Sequence, residues 1–378
     1  MPFILSEEQE AIQKTARDFA TAKLPISLVR KLREGDPAGY AVGGWKGAAE
    51  LGLTSIAIPE QYGGSGLGFL ELGLVLEECG RTLAPLPFMS TTVLGTHALL
   101  LAGSESQKRD ILPRVASGDH IFAFAHEELR RHAPYHVATR LEQTSRGMRL
   151  TGEKLFVLDG HIADSIFVVA RASGNVDERG GLAIVLLPSN AAGMTRIRTT
   201  MVDGRNAARI RFDGVHVGDA DIVGTLGGAA SVLDALFARA SVALSAEMLG
   251  GASEAFERTL AYLKVRKQFG VAIGSFQALK HRAAVMFCEL ELSRSLVRAA
   301  LDAIDETSST VNLLASAAKA RLSDTFMLVA NEAIQMHGGI GVTDECDIGF
   351  FLKRARACEM TFGSSSYHRD RFATLEGY

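Results

Sequence analysis

The chain has 378 residues, enough for two or three domains with substantial cores. Its 40 Lys and Arg against 43 Asp and Glu leave a formal charge of −3, so no basic field points to nucleic acid or to a membrane surface. Cys79, Cys288, Cys346 and Cys358 are scattered without Cys-x-x-Cys pairing, which predicts reduced thiols and no metal centre. No stretch reaches the ~18 consecutive apolar residues of a spanning helix. The amino terminus carries acidic residues early and lacks a signal-peptide core, so a soluble, cytoplasmic protein is expected.

Ser6-Glu7-Glu8-Gln9 reads as a capping box, followed by Ile12, Ala16, Phe19 and Ala20 at helical spacing. Asp36-Pro37 breaks the run, and a further helix around Trp45 to Leu51 leads to the loop Pro59-Glu60-Gln61-Tyr62-Gly63-Gly64-Ser65-Gly66. Residues 1–118 form a predicted helical domain. From 119 to 224 the texture changes to short Val-, Ile- and Phe-rich runs between Gly and Asp turns. The runs are Met148 to Leu150, Lys154 to Leu158, Ile166 to Ala170, Leu182 to Leu187, Ala208 to Phe212 and Gly214 to Val217. Their spacing predicts a β-sandwich or barrel. Residues 225–378 return to long helices: Leu233 to Val265, Phe276 to Ile304, Val311 to Met336 and Ile348 to Phe362, the pattern of a four-helix bundle. The class is α+β.

The most specific stretch joins the first two bundle helices: Arg266-Lys267-Gln268-Phe269-Gly270, then Phe276-Gln277 and Lys280-His281, with a helix predicted from Ser275. Guanidinium forks match phosphate oxygens, although a solvated elbow between helices would use the same residue types. As a whole the string resembles the acyl-CoA dehydrogenase signature, Arg-x-Gln-Phe-Gly followed by Phe-Gln-x-x-Lys-His. The resemblance implies a FAD-dependent oxidoreductase acting on an acyl-CoA thioester, with Arg266 and Phe269 on the cofactor's pyrophosphate arm and Gln277 in the same site. Gln335-Met336-His337-Gly338-Gly339-Ile340-Gly341 resembles the family's second signature. It implies that Gln335, Gly338 and Gly339 serve the FAD of a neighbouring subunit, hence a homo- or hetero-oligomer, expected to be a tetramer. Family wording also appears in the Pro59 to Gly66 loop, in Gln107-Lys108 through Leu112-Pro113 with Gly118, in Gly152-Glu153-Lys154 and in Gly160 to Asp164. The order helical, β, four-helix is the family architecture, and electron-transfer flavoprotein is the acceptor it implies.

Dehydrogenation of this kind needs a carboxylate for the α proton and a flavin for the β hydride, on opposite faces of the substrate. Many members place the base in a Tyr-Glu-Gly-Thr segment, where this chain has Thr361-Phe362-Gly363-Ser364 and thus Phe362 in place of the Glu. Others take it from the helix leading into Arg266, where Ala240 stands here with Ala238 and Arg239 nearby. Glu247, inside an apolar run, is the remaining catalytic candidate; it lies ~10 Å along the helix from Ala240. The commoner arrangement for such a residue is an ion pair with an Arg of a neighbouring helix. Glu359 is a weaker candidate. The family's flavin-facing Thr-Glu-Pro-x-Ala-Gly-Ser-Asp segment appears as His126-Glu127-Glu128-Leu129-Arg130-Arg131-His132-Ala133, and the next flavin-facing Thr becomes Leu158 beside Phe156. His126 can replace one lost donor, or be a solvated loop histidine. Three readings follow: the base-lacking partner of a sister acyl-CoA dehydrogenase subunit, a self-sufficient enzyme with Glu247 as relocated base, or a non-catalytic acyl-CoA or flavin binder. The tail, with Lys353-Arg354-Ala355-Arg356, Phe362-Gly363 and His368-Arg369, resembles the bacterial branch with paired subunits, many acting on steroid side chains or other bulky acyl-CoAs.

Overall fold

The computed structural model describes residues 4–145 and 147–378. Among the described residues, six α-helices precede the sheet: α1 (Glu7–Lys23), α2 (Ile26–Arg33), α3 (Val42–Glu50), α4 (Phe69–Arg81), α5 (Thr96–Ala102) and α6 (Glu105–Ala116). The sheet strands are β1 (Phe122–Ala125), β2 (Arg140–Thr144), β3 (Gly147–Leu158), β4 (Ser165–Arg171), β5 (Leu182–Pro188), β6 (Met194–Thr200), β7 (Asn206–Val217) and β8 (Ile222–Val223). Five helices follow: α7 (Ala230–Val265), α8 (Gln277–Asp305), α9 (Val311–His337), α10 (Ile348–Met360) and α11 (Ser365–Glu376). A short hairpin, β9 (Lys267–Gln268) and β10 (Val271–Ala272), joins α7 to α8. The mixed α+β class expected from the sequence is what the chain adopts. No helix among the described residues is long and apolar enough to cross a membrane.

The chain divides into two compact units. One holds the chain up to Arg30, Phe69–Ala84 and Ser241–Tyr378; the other holds Lys31–Gly68 and Pro85–Ala240. In the first unit α1 opens as its sequence dictates: Ser6 Oγ accepts from the Gln9 backbone at 3.2 Å while Gln9 Oε1 accepts from the Ser6 backbone at 3.0 Å. Its Ala16, Phe19 and Ala20 are buried, and α1 packs on α4. Helix α9 is the centre of the unit, packing against α8, α10 and α11. Its apolar stripe is core as the spacing predicts, with Ala318, Leu322, Phe326 and Val329 buried. Helices α4 and α7 come close enough that only glycine fits: a Cβ on Gly80 would lie 2.0 Å from the Glu247 carbonyl oxygen, and one on Gly250 would lie 1.7 Å from that of Glu77. This close approach is what sinks Glu247 into the interior. Helix α11 lies beyond the predicted elements; Ser364 caps it, accepting from the Tyr367 backbone at 3.3 Å.

In the second unit the sheet runs β6-β7-β3-β2-β4-β5-β8, with β1 parallel to β4. Strands β4 and β5 are buried on both faces, which is why they read as unbroken apolar runs. Two pairs of predicted runs fuse. Met148 to Leu150 and Lys154 to Leu158 are one strand, β3, whose register against β7 shifts between Leu150 and Gly152 and again between Lys154 and Val157. The same pairing fuses the two runs of β7. Strands β1, β2 and β6 went unpredicted: β1 is four residues long, and β2 and β6 expose much of their length.

Candidate cofactor and catalytic site

Within the first unit, α7 ends at Val265 and the chain reverses over Phe269 and Gly270, with φ of +53° and +81°. Two successive positive φ values at a two-residue loop suit a tight hairpin, and glycine takes the second position freely. Phenylalanine there is an outlier; it is 91 % exposed and its ring meets that of Phe276 edge to face, centroids 6.1 Å apart. Arg266 has its backbone fixed, its N–H bonded to the Tyr262 carbonyl at 2.9 Å and its carbonyl accepting from Ile273 at 2.8 Å, while the side chain stands in solvent. A single 3-10 turn, Ile273–Ser275, follows, so the second helix opens at Gln277 rather than at Ser275. Phe276 supplies no side-chain cap, and Gln277 is exposed at this uncapped helix start, where backbone N–H groups favour anions.

Helix α9 ends at His337, and Gly338 takes φ +68°, ψ −145°, a conformation only glycine holds without strain. Neither Gly338 nor Gly339 would bring a Cβ within 4 Å of another group, so both backbones are bare; Gln335 beside them is exposed. The two turns are held together by Tyr262, outside the first motif, and by His337 of the second. Tyr262 stacks on His337 with centroids 4.4 Å apart and planes at 21°, and its hydroxyl donates to the His337 carbonyl at 3.3 Å. His337 in turn donates from Nδ1 to the Ala333 carbonyl at 2.7 Å. Tyr262, one turn before Arg266, was readable only from that spacing.

The candidate bases divide sharply. Phe362 has φ +58°, is 3 % exposed, and its carbonyl accepts from His368 Nε2 at 2.9 Å. Beneath this turn lies Lys319, fully buried, whose ammonium donates to the Gly363 and Glu359 carbonyls at 2.8 and 3.1 Å and to Ser323 Oγ at 3.2 Å. Burial brings its pKa down to about 8. Ala240 is fully buried on α7. Glu247 is buried too, but Arg354 of α10 donates to it from Nη1 at 3.0 Å and to the Leu83 carbonyl from Nη2 at 3.5 Å. The ion-pair alternative weighed for Glu247 is thus the geometry present. Glu359 is paired with Arg356 one turn away.

In the second unit His126 is not a solvated loop residue: it is buried, 4.7 Å from the Phe237 ring, with Nε2 3.2 Å from Glu127. His132 contacts the same Glu127 oxygen through Nδ1. Burial alone would raise the Glu127 carboxyl, but the two imidazoles hold it well below the ordinary carboxylate range. Next to it, Glu128 accepts from buried Lys154 at 2.7 Å and from the Thr139 backbone at 3.0 Å, while Lys154 also donates to the His126 carbonyl at 3.2 Å. Leu158 is half-buried, and Phe156 stands at φ +50°, 42 % exposed. No hydroxyl is supplied at either position. His132, Lys154 and Phe237 went unread as partners because they meet His126 only through the fold.

Residues 6–119 match the description acyl-CoA dehydrogenase, N-terminal domain, and residues 227–374 match acyl-CoA dehydrogenase, C-terminal domain. The chain is 30% identical over 378 residues to a probable acyl-CoA dehydrogenase, YngJ, of Bacillus subtilis, covering 98% of each. It is similar to the solved structure of the Tcur3481-Tcur3483 steroid ACAD, at 29% identity and a TM-score of 0.88 over 98% of both chains. It is likewise similar to PigA with FAD and proline, at 25% identity and a TM-score of 0.90 over 100% of this chain and 99% of that one. With both signatures set on turns of the expected form, the chain belongs to the acyl-CoA dehydrogenase family.

Proposed function

We propose that this chain is the base-lacking subunit of a heteromeric, FAD-dependent acyl-CoA dehydrogenase. The observation that carries the reading is the buried Glu247–Arg354 pair together with the packed Phe362: neither family base position holds a carboxylate, and the one buried candidate is committed to a guanidinium. FAD, when bound, supplies the hydride acceptor. The pyrophosphate half of the cofactor fits: Arg266 is exposed, Gln277 starts an uncapped helix, and Gly338 and Gly339 present bare backbone beside Gln335. The ring half departs, because Leu158 and Phe156 carry no hydroxyl and His126 is turned to Glu127. A sister subunit supplying base and ring contacts accounts for both departures. The name of the Tcur3481-Tcur3483 structure, which couples two designations with a steroid ACAD, supports a two-subunit enzyme acting on a bulky acyl-CoA.

Assembly as a cytoplasmic tetramer through the residues 225–378 domain belongs to the same proposal. Its support is the apolar side chains left exposed on α8 and its hairpin, Val271, Phe276, Val285, Phe287 and Leu292, and light scattering tests it. Electron-transfer flavoprotein is the proposed acceptor. Anaerobic mixing of the purified chain, FAD and a panel of acyl-CoA thioesters tests the central reading: the flavin band should persist. Rapid bleaching by the chain alone would return the self-sufficient reading.

A further inference from the structure

The segment leaving β1 carries a cluster that the dehydrogenase chemistry does not use. The donor atoms of His126, Glu127 and His132 all lie within 4.8 Å of one another. Their side chains are only 9, 13 and 4 % exposed, so this is no chance grouping of solvated acids. Glu127 Oε1 stands 3.2 Å from His126 Nε2 and also contacts His132 Nδ1. Donors about 2.0–2.1 Å from a tetrahedral zinc ion stand about 3.3 Å apart, close to the first of these spacings. Two imidazoles and one carboxylate are a recognised three-ligand set, with water completing the tetrahedron.

The surroundings hold the donors in place. The second oxygen of Glu127 accepts from the Ala133 backbone at 3.4 Å. Phe237 packs edge-on against His132, centroids 5.5 Å apart, and against His126 from the same helix face. Glu128 is taken up by Lys154 and the Ala138 and Thr139 backbones, which leaves Glu127 as the carboxylate of the cluster. Such outer partners fix ring planes and carboxylate orientation in metal sites. A His–Glu–His hydrogen-bond chain without a metal would bind no cobalt stoichiometrically.

We infer that His126, Glu127 and His132 form a site for one divalent transition-metal ion of the zinc type. The site lies within one compact unit and within seven residues of chain, so it does not depend on the flavin reading, and it gives His126 a role other than facing a flavin ring.

The test is cobalt titration of the full-length chain after treatment with a chelator, without FAD. One equivalent of Co2+ should develop visible d–d absorption, which Zn2+ should abolish. His132→Ala and Glu127→Gln should each weaken binding at least ~10-fold, while His136→Ala, at the exposed pair with Asp177, should not. Absence of stoichiometric binding, or binding that survives His132→Ala and Glu127→Gln, overturns the site. Should those variants fail to fold, cobalt-edge X-ray absorption on the parent chain decides: two imidazole ligands are expected, and fewer refute it.

Discussion

Replacing Glu247 by Gln separates a structural carboxylate from a chemical one. Glu247 and Arg354 have side chains 8 and 3 % exposed and meet at 3.0 Å. At the effective dielectric of about 20 that suits such sites, their attraction is 332/(20 × 3.0), or about 5.5 kcal/mol. The amide can still accept the Arg354 hydrogen bond, which retains about 0.5–1.5 kcal/mol. The expected loss is therefore about 4 kcal/mol, within the 3–5 kcal/mol typical of breaking a buried pair from one side. Against a usual domain stability of about 5–15 kcal/mol, that is a large fall in the urea midpoint. Removing the second charge as well should restore much of it, because Arg354→Met in the Glu247→Gln background leaves neither ion to desolvate. The assay is equilibrium urea unfolding of the parent, the two single variants and the double variant as a thermodynamic cycle. An unchanged midpoint for Glu247→Gln, with flavin bleaching by acyl-CoA lost, would refute the reasoning and make Glu247 the base.

Arg266→Ala should weaken FAD binding by about 1.5–3 kcal/mol if the guanidinium meets pyrophosphate; unchanged affinity in a fluorescence titration would reduce it to an elbow residue. Gly338→Ala should cost about 1–3 kcal/mol of stability from its backbone alone, whereas Gly339→Ala, at ordinary φ and in open space, should leave the melting temperature unmoved. Burial, with the Arg239 charge, holds the His97 imidazole down from 6.5 to about 4. The unfolded chain therefore takes up a proton that the folded one refuses, so stability is full above pH 6.5 and falls as pH drops toward 4, by up to about 3 kcal/mol. His97→Gln should flatten that slope in urea unfolding at pH 7.5 and 4.5. Phe362→Glu should destabilise the fold and confer no flavin bleaching, since it sets a carboxylate in an apolar, 3 % exposed position; turnover by this variant would show that the pocket had lost only its base.

What was legible in the sequence is what depends on a few consecutive residues. The capping box at Ser6, the long helices and the two signature turns are all local, and their backbone demands are written in Gly270 and Gly338. The sheet was legible where strands carry a buried apolar face, on both sides in β4 and β5 and on alternate residues in β3 and β7. β6 carries Thr and Arg at outward positions and has no core stripe to announce it, and the breaks inside β3 and β7 are register shifts set by their pairing with each other. Glu247 shows the limit most plainly. A carboxylate in an apolar helix announces that something unusual must offset its burial, but the base and the ion pair look the same from its own neighbours. The deciding residue, Arg354, lies 107 positions later.

It was nonetheless findable. Arg354 shares the inward face of α10 with Phe351, Ala355 and Cys358, at the helical intervals of three, one and four residues. A cation on an apolar stripe and an anion on another are each costly alone, so their pairing is the economical solution for both. Phe362 sits in a similarly committed setting. Its carbonyl accepts from His368 and the carbonyl beside it from Lys319, so both are held with a phenylalanine in the turn. The buried donors at these two carbonyls hold a turn whose side chain at 362 is apolar and 3 % exposed. This packing supports the proposed partner-subunit reading over the self-sufficient one, and flavin bleaching by Phe362→Glu would count against it.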